Sequence, residues 1–312
     1  MSLIDRVRRH FGVGVPADPK NAQRFAIWRV AFGAYLAFFV VRVAPYCVEL
    51  YSREGMVSAK AIAARSILPL FVLQFDRPWQ VIVLTAAAFV LSVLFGLGFH
   101  RRIVAGTLFL LNLWFLSRNP ETSSPDLPFV QWLLLASVLI PAGDSVHLDR
   151  VRPGWAIPTP IRLGAWLTLA LAYTYSVQGK LAVEDAWLDG SAFYYTLNNN
   201  PARLLWYGDF FRDMPKEWFY PLTWAAIFFE GCGPLLILYR HTRTLWIIGV
   251  TLMFFTILSF MNLAQVMLGM LMFQGFLLAT WWDPVVRVVG LPRRVLNFLQ
   301  RFRKPPPVTG MG

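Results

Sequence analysis

Eight long runs of apolar residues divide the chain, and few folds can accommodate this pattern. The runs are Phe25–Tyr46, Trp79–Phe99, Ile103–Leu116, Phe129–Pro141, Ile161–Leu181, Pro221–Tyr239, Leu245–Met261 and Ala264–Trp281. A membrane-spanning helix needs about 20 such residues, so the third and fourth runs are short for spans unless their helices extend further. Charged residues make up only 15% of the chain, against about 25% in soluble domains. We therefore expect an all-α, polytopic membrane bundle of about eight transmembrane helices.

Basic and acidic residues divide unevenly between the two sides of this bundle. With the amino terminus in the cytoplasm, the inner segments hold 18 Lys and Arg residues and the outer segments hold 9, whereas Asp and Glu number 5 and 11. Cytoplasmic loops of membrane proteins carry such an excess of Lys and Arg. We expect residues 25–282 to form the membrane domain, with segments 1–24 and 283–312 both in the cytoplasm. This distribution accounts for the pI of about 10.2 through topology and attraction to anionic lipid, so nucleic-acid binding is not expected.

No cleavable leader is expected, because the first apolar run begins only at residue 25 and no small-residue cleavage pattern precedes it. Two of the predicted outer loops are long, residues 47–78 and 182–220. The second contains eleven aromatic residues, including Trp187, Tyr194 and Tyr195. These side chains could form a lid over a site, or they could be an ordinary aromatic belt at the headgroup level. The sequence leaves both interpretations open.

Ionisable residues inside the predicted spans are candidates for function, because burying charge in lipid is costly. Glu230 lies nine residues into the sixth run, roughly 14 Å deep at 1.5 Å per residue. Its candidate partners are Arg42, Lys180 and Arg118. An ion pair that only fixes helix packing is an equal alternative to a functional role for Glu230. Arg29, near the start of the first run, is expected to reach the headgroups or to cap carbonyl groups of a neighbouring helix.

The fifth run carries a polar stripe. Tyr173, Ser176 and Lys180 are spaced i, i+3 and i+7, which places them on one face of a helix. The stripe could be a proton path or a substrate contact, because a desolvated lysine amine can act as a base at neutral pH. Lys180 could instead be a helix-end lysine that extends into the headgroups. Other polar residues gather toward the outer half and suggest a cavity that opens outward; among them are Gln178, Asn262 and Gln265.

Several kinds of site are not expected from the motifs. The four histidines lie in predicted cytoplasmic segments and form no ligand cluster, so no protein-bound metal is expected. The chain contains no P-loop, no dinucleotide fingerprint and no Gly-x-Ser-x-Gly elbow. These absences argue against an energised pump. A transporter is a weaker hypothesis, because inverted repeats are not evident in the sequence.

Six short motifs then point to a known family. They are RVAFG at 29–33, YSREGM at 51–56, RNP at 118–120, YSVQGKL at 175–181, WLDG at 187–190 and EGCGPLL at 230–236. In this order, over about residues 20–282, the set resembles the HTTM (horizontally transferred transmembrane domain) family. Those proteins are bacterial membrane relatives of vitamin K-dependent gamma-carboxylase. The resemblance implies a multi-pass protein of the bacterial inner (plasma) membrane, with its active face on the extracytoplasmic side.

The resemblance also implies a chemistry. Lys180 takes the position of the carboxylase lysine that acts as the base toward reduced vitamin K, so a reduced quinone is the expected cofactor. The expected function is quinone-linked modification or maturation of a secreted peptide. The large lumenal domain of the carboxylase has no counterpart here, so a peptide would dock on the outer loops or on a separate protein. Many relatives carry a histidine in the penultimate span, where this chain has Thr256 and Ser259.

Two functional hypotheses of different classes follow. The first is a membrane enzyme in which Lys180 is the base, with Glu230 completing the catalytic pair. The expected substrate- or cofactor-binding residues are Arg42, Arg118, Tyr173, Ser176, Gln178, Trp187, Tyr194, Tyr195, Asn262 and Gln265. The second hypothesis is a non-catalytic membrane protein that binds lipid or peptide, such as an immunity, export or toxin-maturation partner.

Overall fold

Helices are the regular elements of the described chain, which comprises residues 19–56, 75–183, 185–198, 213–260 and 264–280 of a computed structural model. The long helices are α1 (Pro19–Val43), α3 (Pro78–Leu97), α4 (Arg101–Arg118), α5 (Leu127–Leu139), α6 (Thr159–Val183), α9 (Tyr220–Gly231), α11 (Arg240–Phe260) and α12 (Ala264–Thr280). The short ones are α2 (Cys47–Tyr51), α7 (Asp185–Leu188), α8 (Ala192–Asn198) and α10 (Gly233–Leu236). Within these residues the all-α prediction is confirmed.

Seven of the eight apolar runs each overlap one long helix in the described part of the chain, and the sixth run overlaps two helices. Among the described residues, three helices are long and apolar enough to cross a membrane: Pro19–Tyr51, Pro78–Leu97 and His241–Leu258. Leu127–Leu139 and Leu268–Thr280 are shorter apolar helices. The third run, drawn as Ile103–Leu116, belongs to a helix of 18 residues, because α4 extends to arginines at both ends. The chain therefore has the helices of a membrane protein, and the count of eight spans stays a prediction.

Aromatic rings from α1 and α12 fill the centre of the bundle. Trp28 stacks on Phe32 with 5.2 Å between ring centroids, and meets the edge of Phe276 at 5.1 Å. The indole N–H of Trp28 donates a hydrogen bond to the carbonyl oxygen of Met272 (2.8 Å), so its polar atom is satisfied within the core. These contacts fix the first described helix against the last.

The sixth run differs from its prediction as one continuous helix. α9 ends at Gly231, and α10 begins only at Gly233, so the segment breaks at Cys232. Pro234 lies at the start of α10, and a proline removes a backbone donor and clashes with the carbonyl group four residues earlier. That carbonyl belongs to Glu230. The break therefore places Glu230 in the last turn of α9.

Two arginines mark opposite ends of α4. At its start, Arg101 shares the Asp144 carboxylate with Arg29, which also donates hydrogen bonds to the carbonyl groups of Phe95 and Gly96, as predicted for a carbonyl-capping arginine. At its end, Arg118 is buried in an ion pair with a residue of the first outer loop. The predicted inner and outer loops therefore gather at different ends of this helix.

Candidate functional site

Lys180 and Glu230 form the contact around which the candidate site is built. Lys180 lies in the last turn of α6, and its Nζ is 2.5 Å from Oε2 of Glu230 in the last turn of α9. The glutamate side chain is 7% exposed and the lysine side chain 24% exposed. A buried carboxylate needs a partner of this kind. Of the three cations that the sequence offered to Glu230, the structure brings Lys180 to it.

Trp187 covers the lysine. Its ring lies 4.6 Å from Lys180 Nζ, within the range of a cation–π interaction, and Phe193 meets Trp187 edge-on with 6.4 Å between centroids. The turn between α7 and α8 positions these rings through Gly190, whose φ of +88° lies in the left-handed region. A Cβ at that position would also press within 3.1 Å of Tyr220 and Trp224, so the turn packs tightly on α9.

The predicted stripe on α6 divides into a buried part and a half-buried part. Tyr173 is buried, and its hydroxyl accepts a hydrogen bond from Nε2 of Gln274 (2.7 Å). Ser176 and Lys180 are half-buried toward the end of the helix. Gln274 was not among the predicted site residues, although an amide near the middle of the last apolar run was a visible signal. Its Oε1 atom is buried without a hydrogen-bond partner in the described structure.

Arg118, Arg42 and Gln178 lie elsewhere. Arg118 donates a hydrogen bond to the Tyr51 carbonyl (2.9 Å), and its Nη1 is 3.3 Å from an Asp76 carboxylate oxygen, so it joins the two described ends of the first outer loop. The Arg42 guanidinium is exposed at the end of α1 and lies over the Phe38 ring at 5.9 Å. Gln178 is exposed on α6. Arg118 and Arg42, the other two candidate partners of Glu230, thus make contacts elsewhere, and Lys180 is paired with Glu230.

Two other predicted binding residues cannot be placed at the site. Asn262 lies outside the described residues, and Gln265 belongs to α12 by its backbone alone.

Tyr194 and Tyr195 lie on α8, where their rings meet at 5.5 Å, and Tyr194 also approaches Phe219 at 6.1 Å. The tyrosine pair therefore joins the described parts of the second outer loop to each other.

A second lysine shows the same types of contact in an exposed setting. Lys216 Nζ is 3.7 Å from Asp189 Oδ2, and it donates a hydrogen bond to the Tyr195 hydroxyl (3.3 Å). Hydrogen bonding from Ser191, together with the lysine charge, lowers the pKa of Asp189 below its usual range. The hydrogen bond to the Tyr195 hydroxyl is the main cause that raises the pKa of Lys216, and the nearby Asp189 carboxylate raises it further. These residues clasp the turn after α7 to the segment that leads into α9.

The site offers an amine, a carboxylate and an aromatic face within contact of one another. The Lys180 amine and the Glu230 carboxylate lie within direct hydrogen-bonding distance, at 2.5 Å. Across the described residues, no group of three His, Cys, Asp or Glu side chains could hold a metal ion.

Comparison of the chain with protein-family models, with curated proteins and with solved structures finds no match.

Proposed function

We propose that this protein is a membrane enzyme in which Lys180 is a base acting at the extracytoplasmic face. The observation that carries the proposal is the 2.5 Å contact between Lys180 Nζ and the buried Glu230 carboxylate. Such a contact provides a lysine amine with an adjacent acceptor for its proton. The six motifs that resemble the HTTM family support the same assignment, because two of them contain these residues.

The pair would work by proton transfer. When Glu230 accepts the proton of Lys180, both groups become neutral, and the amine can then take a proton from a hydroxyl group of the bound molecule. The carboxylate is the more deeply buried partner, and the lysine is the more exposed one. The amine is therefore the end of the pair that meets a substrate. A reduced quinone would supply an acidic hydroxyl group and two electrons, and molecular oxygen would be the oxidant that accepts those electrons.

The proposed target is a secreted peptide, modified or matured on the outer side of a bacterial plasma membrane. This proposal includes eight spans with both termini in the cytoplasm, supported by the charge distribution along the chain. Peptide docking would use the outer loops 47–78 and 182–220, or a separate protein. The aromatic residues around Lys180 would exclude water from the reacting groups.

Oxygen uptake by the purified protein, with a panel of reduced quinones, tests this proposal. We expect wild-type uptake to disappear in Lys180→Ala and to fall strongly in Glu230→Gln. Arg150→Ala is the control, because Arg150 is exposed in a predicted inner loop, on the side opposite the proposed base. Absence of uptake in the folded wild-type protein, or equal uptake in Lys180→Ala, would refute quinol chemistry at this lysine.

One observation favours the second candidate function, a non-catalytic lipid- or peptide-binding protein. The Lys180–Glu230 pair joins α6 to α9, as a structural ion pair would. Under this alternative, Lys180→Ala lowers stability or affinity for a partner without removing any turnover. Measuring unfolding and oxygen uptake on the same preparations separates the two functions.

A further inference from the structure

A cavity of ≈ 50 Å³ lies between α1, α3 and α4, away from Lys180. Apolar side chains such as Leu36, Ala88 and Leu108 form most of its wall. The polar side chains in the wall are Tyr51, Thr85, Ser92, Asn112, Thr122 and Ser124. Among the residues that the structure describes, the lining contains no Lys, Arg, His, Asp or Glu. A charged guest would therefore find no counter-ion here, and the cavity suits an uncharged one.

The hydroxyl groups in the wall have a specific arrangement. Ser92 and Thr122 donate their hydrogens to carbonyl oxygens (2.7 Å each), and Ser124 donates its hydrogen to a carboxylate. Their oxygens therefore remain as acceptors. Thr85 differs, because its hydroxyl is buried and has no hydrogen-bond partner in the described structure. The residue is only 5% exposed, and such an unpaired group is costly. A guest hydroxyl group would satisfy Thr85 and could donate to a neighbouring acceptor.

A groove of ≈ 300 Å³ adjoins the cavity on the outside of the bundle, and the two share Val40 and Thr85. The rest of the groove is lined by apolar residues of α1 and α3 and by residues just after α1. Val41 is 55% exposed and Ile82 is 52% exposed, both on helices apolar enough to cross a membrane. The groove therefore faces the lipid, and Thr85 lies where it meets the cavity.

We infer that this cavity and groove bind an uncharged membrane lipid that carries a free hydroxyl group, with the hydroxyl at Thr85 and the hydrocarbon chain in the groove. The polarity of the two spaces agrees with this orientation. The more polar space takes the hydroxyl end, and the apolar space takes part of the chain. Entry is lateral, from the bilayer between α1 and α3. The inference concerns the first half of the chain and does not depend on the chemistry proposed for Lys180.

Photolabelling tests the site directly. The protein is placed in phosphatidylcholine nanodiscs with a diazirine-bearing hexadecanol, and labelled peptides are identified by mass spectrometry. Diazirine-bearing hexadecane and palmitic acid serve as comparison probes. We expect the alcohol to label peptides from α1 and α3 more than either comparison probe does. An excess of unlabelled hexadecanol should remove this labelling, whereas unlabelled hexadecane should not.

Two variants locate the hydroxyl group. Thr85→Val keeps the shape of the side chain and removes its hydroxyl, so alcohol labelling should fall about fivefold, as expected for one lost hydrogen bond, with hexadecane labelling unchanged. Ala88→Leu fills the cavity and should reduce alcohol labelling as well. Thr107→Val is the matched control, because Thr107 is exposed on α4 and bonds within its own helix.

Three results would overturn the inference. Equal labelling by the alcohol and the alkane would show that the groove binds hydrocarbon chains without recognising a hydroxyl group. Preferential labelling by palmitic acid would show that the guest is an acid. No labelling of α1 or α3 above background in the wild-type protein would show that the cavity and groove bind no lipid of this kind. Competition by unlabelled hexadecanol and hexadecane on the wild-type protein distinguishes these results even if a variant fails to fold.

Discussion

The guanidinium group of Arg29 lies 3.0 Å from the carboxylate of Asp144, and both side chains are only 5% exposed. The other oxygen of the same carboxylate is 3.2 Å from Nε of Arg101. One buried carboxylate therefore serves two buried cations. The remaining guanidinium hydrogens reach the carbonyl groups of Phe95, Gly96, Ser137, Ile140 and Pro141. This cluster joins α1, the end of α3, the start of α4 and the end of α5.

Removing the shared carboxylate should destabilise the bundle strongly. Asp144→Asn leaves two buried guanidinium groups with no compensating charge, and breaking a buried pair in this way costs about 3–5 kcal/mol. Thermal unfolding in detergent measures the loss. Asp149→Asn is the control, because Asp149 is exposed in the same loop and should change little. Equal melting temperatures for the two variants would contradict this role of Asp144.

A double-mutant cycle measures how strongly Lys180 and Glu230 depend on each other. Lys180→Met leaves a buried carboxylate alone and Glu230→Gln leaves the amine alone, so each single change should destabilise the protein. The double variant should recover part of the loss, with a coupling of about 0.5–3 kcal/mol. The exposed pair of Lys216 and Asp189 is the comparison and should show a weaker coupling, because solvent screens the charges of an exposed pair. Strict additivity at Lys180 and Glu230 would show that the pair does not stabilise the fold.

The sequence predicted helices well because apolar runs of this length are a strong signal, and it identified Glu230 because a carboxylate in such a run stands out. It could not choose among three possible cations. That choice depends on how α6 and α9 pack, which no local pattern contains. The break at Cys232 was also missed, although Pro234 was a visible signal, because the run stays apolar on both sides of the proline. The sharing of Asp144 by two arginines from separate helices is likewise a property of packing.

The clasp between Asp189 and Lys216 should depend on pH at both extremes. The pKa of Asp189 is lowered in the folded protein, so its stabilising effect is present above about pH 4 and is lost as the pH falls through the lower folded value. The pKa of Lys216 is raised, so its effect is present below about pH 10 and is lost as the pH rises through the higher folded value. The second outer loop should therefore be held most firmly between these limits.

Amide hydrogen exchange of residues 192–198 measures this pH dependence, once the rates are corrected for the intrinsic effect of pH on exchange. Wild-type protection should fall on acidification below about pH 4. Asp189→Asn should be less protected at pH 6 and should lose most of the acid dependence. Asp185→Asn is the control, because Asp185 is exposed on the adjacent helix and should keep the wild-type profile. Parallel acid profiles for the wild type and Asp189→Asn would assign the change to another carboxylate.

Two glycines at the crossing of α1 and α3 should respond differently to the same substitution. A Cβ at Gly33 would lie 2.6 Å from the Gly96 Cα and 2.9 Å from the Ser92 carbonyl oxygen, so backbone atoms would have to move. A Cβ at Gly96 would lie 3.6 Å from the Gly33 Cα, which is an ordinary contact. Gly33→Ala should therefore destabilise by about 1–3 kcal/mol through overpacking, while Gly96→Ala should be tolerated. Thermal unfolding of both variants decides the matter, since the reverse order, or equal losses, would mean that α1 approaches α3 differently at this crossing.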